Sequence, residues 1–159
     1  MSIYEKVKKE AGQAPKNSDW YRDRIITELT SLKIKKPNGF SPGNLYLFAY
    51  NPKLKEEGHD RFPLVFVMEM RNNGFIGCNL HYISPDQRDE VAFDFINKTD
   101  QANFAVPPQT LRRYLFSGVQ GIPYYIPESE WRGLVELPTE KFIDAKGNSV
   151  RSNRYYKGN

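Results

Sequence analysis

Apolar residues repeat with a helical period near the N-terminus of the chain. In residues 2–11 they form one stripe between lysines, and Gly12 follows them. This pattern predicts a short amphipathic helix that ends at the glycine. A second stripe at helical spacing runs over residues 18–32 and contains Trp20. Because serine is a favoured N-cap, we expect a second helix to begin at Ser18 and to carry Trp20 as a large apolar anchor.

In the middle of the chain the apolar period changes to two, which is typical of strands. Residues 45–50 predict a strand with two partly apolar faces, and residues 62–70 predict another. The turn Arg71-Asn72-Asn73-Gly74 supplies residues that tolerate positive φ, as a tight hairpin requires, and residues 75–83 return to an apolar pattern. The runs on either side of this turn are therefore predicted to form an antiparallel hairpin.

The region after the hairpin mixes helix and strand signals. Capping residues at its start predict a helix over residues 84–97, and residues 108–117 predict another that stops at Gly118. Residues 122–126 are predicted to be a last strand, with Trp131 as a plug on a short helical turn. We therefore expect an α+β fold, with a small antiparallel, SH3-like β-barrel or curled sheet and flanking helices.

Charge divides the chain into three segments. Residues 1–36 hold nine Lys/Arg and five Asp/Glu, residues 37–143 hold ten and thirteen, and residues 144–159 hold four and one. These segments are interpreted as an N-terminal helical basic arm, an α+β core domain and a basic aromatic tail that is mobile in the isolated protein. Because an acidic core repels phosphate, any affinity for nucleic acid is expected in the two ends.

Several common classes of protein are disfavoured by the sequence. Cys78 is the single cysteine, so an internal disulfide and a cysteine-rich zinc site are excluded. Residues 1–10 lack the apolar run of a signal peptide, and no stretch has the roughly 20 apolar residues that a membrane span needs. We therefore expect a soluble protein that is not exported.

Residues that could carry catalysis do not converge in the sequence. His81 could be a general base or a ligand, but a half-buried histidine that is hydrogen-bonded to a loop is the favoured interpretation. Cys78 has no neighbouring cation to activate it, and no Walker-type glycine loop is present. We therefore predict no catalytic residue, no cofactor and no metal site, and a protein that is not an enzyme.

Aromatic residues next to cations are the predicted partner-binding residues. Cations neutralise phosphates, while tyrosines stack on bases or fill a partner's pocket. For the tail, three interpretations stay open: a solubilising end, protein docking and nucleic-acid binding. For the helical residues, packing in the core competes with docking on a neighbouring subunit. The predicted residues are Trp20, Tyr21, Arg22, Arg151, Arg154, Tyr155, Tyr156 and Lys157.

A set of short motifs occurs between residues 18 and 143. They are Trp20-Tyr21-Arg22, Pro42-Gly43, Tyr50-x-Pro52-Lys53, Asp60-Arg61-Phe62-Pro63-Leu64-Val65, Gly74-Phe75-x-Gly77-x-Asn79-x-His81-Tyr82, Ile126-Pro127 and Leu137-Pro138. Together these motifs resemble small proteins of T-even-like tailed bacteriophages. The resemblance implies a non-enzymatic structural or assembly protein, made in the host cytoplasm and located in the virion. Its place would be the neck, tail, baseplate or packaged DNA end, in a multi-subunit assembly. Its partners would be other phage structural proteins, with DNA at the basic termini and no membrane.

Two other functions are kept as alternatives. A nucleic-acid-binding accessory protein would use the basic ends and would lose affinity steeply with salt. A PemK-like ribonuclease would share a small barrel and would need a convergent polar site near His81. The ribonuclease fits less well, because its basic substrate groove does not agree with an acidic middle segment.

Overall fold

The structure is a computed structural model that describes residues 1–53, 58–97 and 106–151. It is an α+β protein, as the sequence predicts, with helices packed on antiparallel sheets. The helical segments are α1 (Ile3–Ala11), α2 (Ser18–Ser31), α3 (Pro85–Asn97) and the short α4 (Trp131–Leu134). The strands are β1 (Leu45–Tyr50), β2 (His59–Asp60), β3 (Leu64–Arg71), β4 (Gly74–Asn79), β5 (Leu111–Leu115), β6 (Val119–Ile126), β7 (Phe142–Ile143) and β8 (Ser149–Val150).

The larger sheet has the strand order β5-β4-β3-β1-β6, and every neighbouring pair is antiparallel. A 3-10 turn at Phe116–Gly118 joins its two edge strands, and the Leu115 amide donates to the Tyr50 hydroxyl at 2.9 Å. The sheet therefore curls until β5 reaches the end of β1. Since β5 and β6 do not pair in the described part of the chain, this is an open sheet, and the SH3-like barrel is not confirmed.

The two faces of this sheet bury different kinds of side chain. One face contributes aliphatic residues and Phe66 to a core that the helices cover. Phe66 stacks on Phe95 of α3 with 4.0 Å between the ring centroids, and Trp131 packs edge-on against Phe66. The other face encloses a mainly aromatic cluster of Tyr46, Phe48, Tyr50, Phe75 and Tyr114, with two valines and with Phe40 packed against it. Aromatic residues thus supply much of the core, in agreement with the composition.

Helices α1 and α2 are confirmed, and both are part of the core. A capping box joins Ser2 to Glu5 at the start of α1. The cap of α2 is Asn17, one residue before the predicted Ser18, because its Oδ1 accepts from the Trp20 amide at 2.9 Å. Both helices place buried residues in the same cluster as the sheet: Ile3, Val7, Ile25 and Leu29. The two helices of the predicted basic arm therefore pack on the core. The division of the chain into arm, core domain and tail stays a prediction.

The β3–β4 hairpin is confirmed, but its turn differs from the predicted one. No residue other than glycine has a positive φ in the described part of the chain, so Asn72 and Asn73 adopt ordinary backbone conformations. Gly74 is needed for space, because a Cβ there would lie 1.8 Å from the Tyr114 carbonyl oxygen on β5. The asparagine-glycine pattern thus predicts the position of the turn correctly, but positive φ angles are not the reason for it.

The helix predicted over residues 108–117 is wrong. A 3-10 turn at Pro108–Thr110 leads into β5, which pairs with β4 from Cys78↔Leu111 to Gly74↔Leu115. Tyr114 is buried, whereas Arg112 and Arg113 are exposed. Strand formation prevails over helix propensity because β4 would otherwise present an unpaired edge.

A second sheet has three strands in the order β2-β7-β8 and joins the middle of the chain to the end of its described part. Between β7 and β8 the Asp144 carboxylate accepts from the amides of Lys146 and Asn148, and Gly147 has a φ of 85°. The segment predicted to be a mobile tail therefore begins as a hairpin strand. The rest of the predicted tail, residues 152–159, lies outside the described residues.

Candidate nucleic-acid interface

The two aromatic residues predicted as partner anchors, Trp20 and Tyr21, lie in the first turn of α2. Both are partly buried and pack against the main core. Their rings meet edge to face with centroids 5.1 Å apart, and the Lys16 Nζ lies 5.4 Å from the Trp20 ring. Much of their surface therefore already stabilises the fold, and only the remainder is available to a partner.

Arg22 is held in place by its neighbours. Its guanidinium lies 3.6 Å from the Phe62 ring centroid and pairs with Asp19 at 3.0 Å. Asp19 also pairs with Lys141 at 3.2 Å. Desolvation opposes ionisation of Asp19, but the hydrogen bonds from Lys141 and Arg22 prevail and lower its pKa. One guanidinium nitrogen of Arg22, Nη1, is buried with no hydrogen-bond partner among the described residues.

Three cations form a row across the three-stranded sheet. Asp60 pairs with Phe142, and the Arg61 amide donates to the Lys141 carbonyl at 2.9 Å, which places Arg61 opposite Lys141. Continuing the β7–β8 register by one residue from Phe142↔Val150 places Arg151 opposite Lys141 on the other side. Since directly opposed residues share one face of a sheet, the three side chains leave the same face. We call Arg61, Lys141 and Arg151 the basic row.

Like charges that lie directly opposite each other on a sheet destabilise it. Lys141 is compensated by Asp19, but Arg61 and Arg151 are exposed and form no ion pair with any described residue. The basic row is therefore a place where an external anion lowers the electrostatic energy. The structure thus brings the predicted residue Arg151 towards the first turn of α2, through Lys141 and Asp19. The other predicted tail residues, Arg154, Tyr155, Tyr156 and Lys157, lie outside the described residues.

From the basic row, a groove and then a cleft continue along β6. The groove has a volume of about 300 Å³ and lies between Arg22 and Phe62 on one side and Ile122 and Tyr124 on the other. The cleft has a volume of about 310 Å³ and shares Ile122 and Tyr124 with the groove. Its other wall includes Lys36, and we call it the β6-edge cleft.

The connector between α2 and β1 adds further positive charge to the cleft. Its three lysines, Lys33, Lys35 and Lys36, are exposed and form no salt bridge with any residue that the structure describes. We call the basic row, the groove, the β6-edge cleft and these lysines together the basic band. The partly exposed Asp19 and the exposed Asp23 lie beside Arg22 and reduce the net charge of the basic band there.

A polar cluster lies beneath the basic row. The Nδ1–H of His81 donates to the Asp60 carboxylate at 2.7 Å, because a carboxylate can only accept, and Nε2 lies 2.7 Å from the Thr139 hydroxyl. Asn79 donates to the same carboxylate at 2.9 Å and to the Tyr114 hydroxyl at 3.0 Å. Desolvation opposes ionisation of Asp60, but the attraction to His81 and the hydrogen bonds from His81 and Asn79 prevail and lower its pKa.

The order Asp60, His81, Thr139 has the connectivity of a hydrolase triad, but it is sealed. The exposed fractions of the three residues are 4%, 0% and 2%. A substrate cannot reach the Thr139 hydroxyl without rearrangement of the fold, so the geometry supports a structural role. His81 is thus hydrogen-bonded, as the favoured interpretation has it, but fully buried where half-burial was expected.

The other candidate chemical groups are also enclosed. Burial raises the pKa of Cys78 to about 12, despite a hydrogen bond to Thr110, so the thiol stays protonated and unreactive at neutral pH. A buried ion pair joins Arg88 to Glu140 at 3.2 Å and ties α3 to the segment before β7. Among the described residues no group of three or more potential metal ligands occurs, and none of their helices is long and apolar enough to cross a bilayer.

Fold and surface together define an α+β protein with a basic band that includes the row on its small sheet and the cleft at the β6 edge of its larger sheet. A family model described as phage T4 terminal DNA protecting protein matches residues 1–105 of the 159. The chain therefore belongs to this family of T4-like bacteriophage proteins, which confirms the resemblance seen in the sequence. Neither the curated proteins nor the solved structures gave a match.

Sequence reasoning missed most of the basic band. Arg61 and Lys141 are 80 residues apart and become neighbours only through the two-residue strands β2 and β7. The Asp144–Gly147 turn is a local hairpin signal that could have placed Arg151 next to Lys141. The tyrosines of β6 were assigned only to a strand, since their exposure depends on β6 being an edge.

Proposed function

We propose that this protein binds the ends of the phage DNA and shields them, as a non-enzymatic component of the phage particle. The description of its family, a terminal DNA protecting protein, supports DNA ends as the ligand. A protein that shields a DNA end by covering it needs contacts with the DNA but no catalytic group. The burial of the His81 cluster and of Cys78 is consistent with such a role.

The observation that carries the proposal is the basic row. Arg61 and Arg151 lie on opposite sides of Lys141 on one face of the small sheet, and no described acid pairs with either of them. Phosphates of a DNA backbone are the anions that such a row fits, and binding them releases condensed counterions. The tail residues beyond Arg151 extend the charge from this point, with Arg154 and Lys157 as further phosphate contacts.

The particle context supports a second set of contacts. We propose that the partly exposed surface of Trp20 and Tyr21 docks on another phage structural protein, while the basic row faces DNA. The two residues lie on α2 next to Asp19, which Lys141 of the basic row contacts. A single protein could in this way hold a DNA terminus against the particle, in the virion.

An end-protection assay tests the proposal. Linear duplex DNA is incubated with the protein and then with an exonuclease, and the intact fraction is compared for the wild type and the double variant Arg61→Ala, Arg151→Ala. Loss of two phosphate contacts should weaken binding at low salt and reduce the slope of log affinity against log salt by about 2. A truncation after Arg151 should weaken binding further and leave β8 intact.

The matched control is Arg71→Ala, Arg113→Ala. It removes the same charge from exposed positions at the β3–β4 turn and on β5, the edge strand opposite β6. We expect it to protect DNA as the wild type does. If the wild type leaves linear DNA as sensitive as it is alone, or if both double variants behave alike, the proposed function of the basic row is wrong.

A further inference from the structure

The β6-edge cleft has the walls of a site for a flat ring, and a cation lies on its rim. We propose, resting on the proposed function, that it receives an unpaired nucleotide at the DNA terminus. The base stacks against Tyr125 of β6, and its phosphate lies beside Lys36 of the connector. The protein would then recognise the terminus itself, through a feature that internal duplex DNA lacks.

The walls of the cleft include three tyrosines and two prolines. Tyr124 and Tyr125 line it from β6, Tyr46 lines it from β1, and Pro37 and Pro123 complete it. Its volume of about 310 Å³ is at the small end of ligand pockets, which span roughly 300–1,000 Å³. Aromatic platforms of this kind bind bases of any sequence, because every base has a π-face. A duplex offers such a face only at its end, where a base can leave the stack.

The backbone of β6 keeps the cleft open. β1 and β6 pair at Leu47↔Tyr124 and next at Ala49↔Gln120, so residues 121–123 form a bulge opposite a single β1 residue. Gly121 has a φ of 72°, a Cβ at this position would have no atom within 4 Å, and Ile122 is 77% exposed at the apex. A bulge with a proline cannot accept another strand along this edge, which argues against strand addition as its use.

The charges around the cleft are unequal on its two sides. Lys36 lines one wall of the cleft. Lys33 and Lys35 lie on the same connector, and neither forms an ion pair with a described residue. On the other side, Glu128 is close enough to Tyr125 to contribute, after burial and Tyr46, to raising its pKa. A nucleotide therefore has one favourable orientation, with its phosphate towards Lys36 and its base over Tyr125.

The test compares two DNA hairpins that differ only at the open end, one blunt and one with a short single-stranded overhang. Affinity is measured by fluorescence anisotropy, and stacking by the quenching of a 2-aminopurine in the overhang. We expect the overhang to bind about tenfold more tightly than the blunt end, with quenching. Tyr125→Ala should remove the preference and the quenching, whereas Tyr125→Phe should keep both because the ring remains.

Phe93→Ala is the control for loss of an exposed aromatic residue, since Phe93 is 49% exposed on α3, beside the acids Asp89 and Asp94 and away from this cleft. If Tyr125→Ala fails to fold in a thermal melt, Lys36→Glu serves instead and should also abolish the preference.

Equal affinity for both ends, with end protection intact, overturns this inference and leaves the proposed function standing. Absence of any DNA binding overturns both. Unchanged DNA binding in Tyr125→Ala, with loss of incorporation into particles, identifies the cleft as a protein-docking surface and also overturns the inference.

Discussion

Asp60 and Arg61 are neighbours in the chain, yet the side chain of Asp60 is buried and that of Arg61 is exposed. Asp60 points into the protein and is sealed in hydrogen bonds with His81 and Asn79. Arg61 points out and lies beside Lys141 with no acid of its own among the described residues. The alternation of side chains along a strand produces both regions from one short segment. On the inner face Asp60, His81 and Asn79 are hydrogen-bonded to one another or to their neighbours, whereas on the outer face Arg61 forms no ion pair with a described residue.

This contrast shows where function is to be sought in this protein. The inner cluster has the residue types of an active site, but its geometry is that of a buried network that fixes the small sheet on the larger one. The outer row has ordinary arginines and a lysine, and only their arrangement is unusual. Unsatisfied exposed charge, more than the presence of a histidine and a carboxylate, is the feature on which the proposed contact surface rests.

Removing the carboxylate of the inner cluster is expected to have the largest effect on stability. Asp60→Ala leaves His81 and Asn79 buried without their acceptor, which costs about 3–5 kcal/mol of the free energy of unfolding. Urea denaturation at neutral pH measures this loss. Asp94→Ala, which removes an exposed carboxylate from α3, should change the free energy of unfolding by less than about 0.5 kcal/mol. Equal effects of the two substitutions would mean that the inner cluster does not stabilise the fold.

Removing the hydroxyl at the other end of the cluster should cost less. Thr139→Val keeps the shape of the side chain but leaves Nε2 of His81 without the hydroxyl at 2.7 Å, for a loss of about 1–3 kcal/mol. Thr30→Val is the matched control, because the Thr30 hydroxyl bonds only the Ile26 carbonyl on the exposed side of α2. Urea denaturation of both variants should separate them, and no difference would show that the Thr139 contact contributes nothing.

Local signals explain what could be predicted from this sequence. The β3–β4 hairpin and α3 were predictable because turn and capping residues lie within their own segments. The local pattern of the β5 segment predicts a helix, because its strand conformation depends on pairing with the open edge of β4, which no local pattern reveals. The candidate site was largely hidden for the same reason: Arg151 was identified, but its alignment with Lys141 and Arg61 depends on strand register.

Acid should weaken the inner face through Asp60. Its pKa is lowered in the folded protein, so its contribution is present above the unfolded value of about 3.9 and is lost as the pH falls through the folded value. Asp60→Asn has no such proton to bind and should lose less stability on acidification, although Asp19 and Asp89, whose pKa values are also lowered, keep their share. Thermal melts from pH 7 to pH 3 measure the difference. Parallel pH profiles would contradict the role assigned to Asp60.

Substitution of the two arginines of the basic row should produce the smallest change in stability. The sign of that change tests whether the row is electrostatically unfavourable. Arg61→Ala, Arg151→Ala removes two cations that lie on either side of Lys141, so repulsion across β2, β7 and β8 decreases. We expect the free energy of unfolding to change by less than about 0.5 kcal/mol, with a slight gain at low salt that disappears at high salt as charges are screened. Urea denaturation at two salt concentrations measures this. A loss of more than about 1 kcal/mol would show that these arginines hold the fold together, and the contrast between a satisfied inner face and an unsatisfied outer face would then no longer hold.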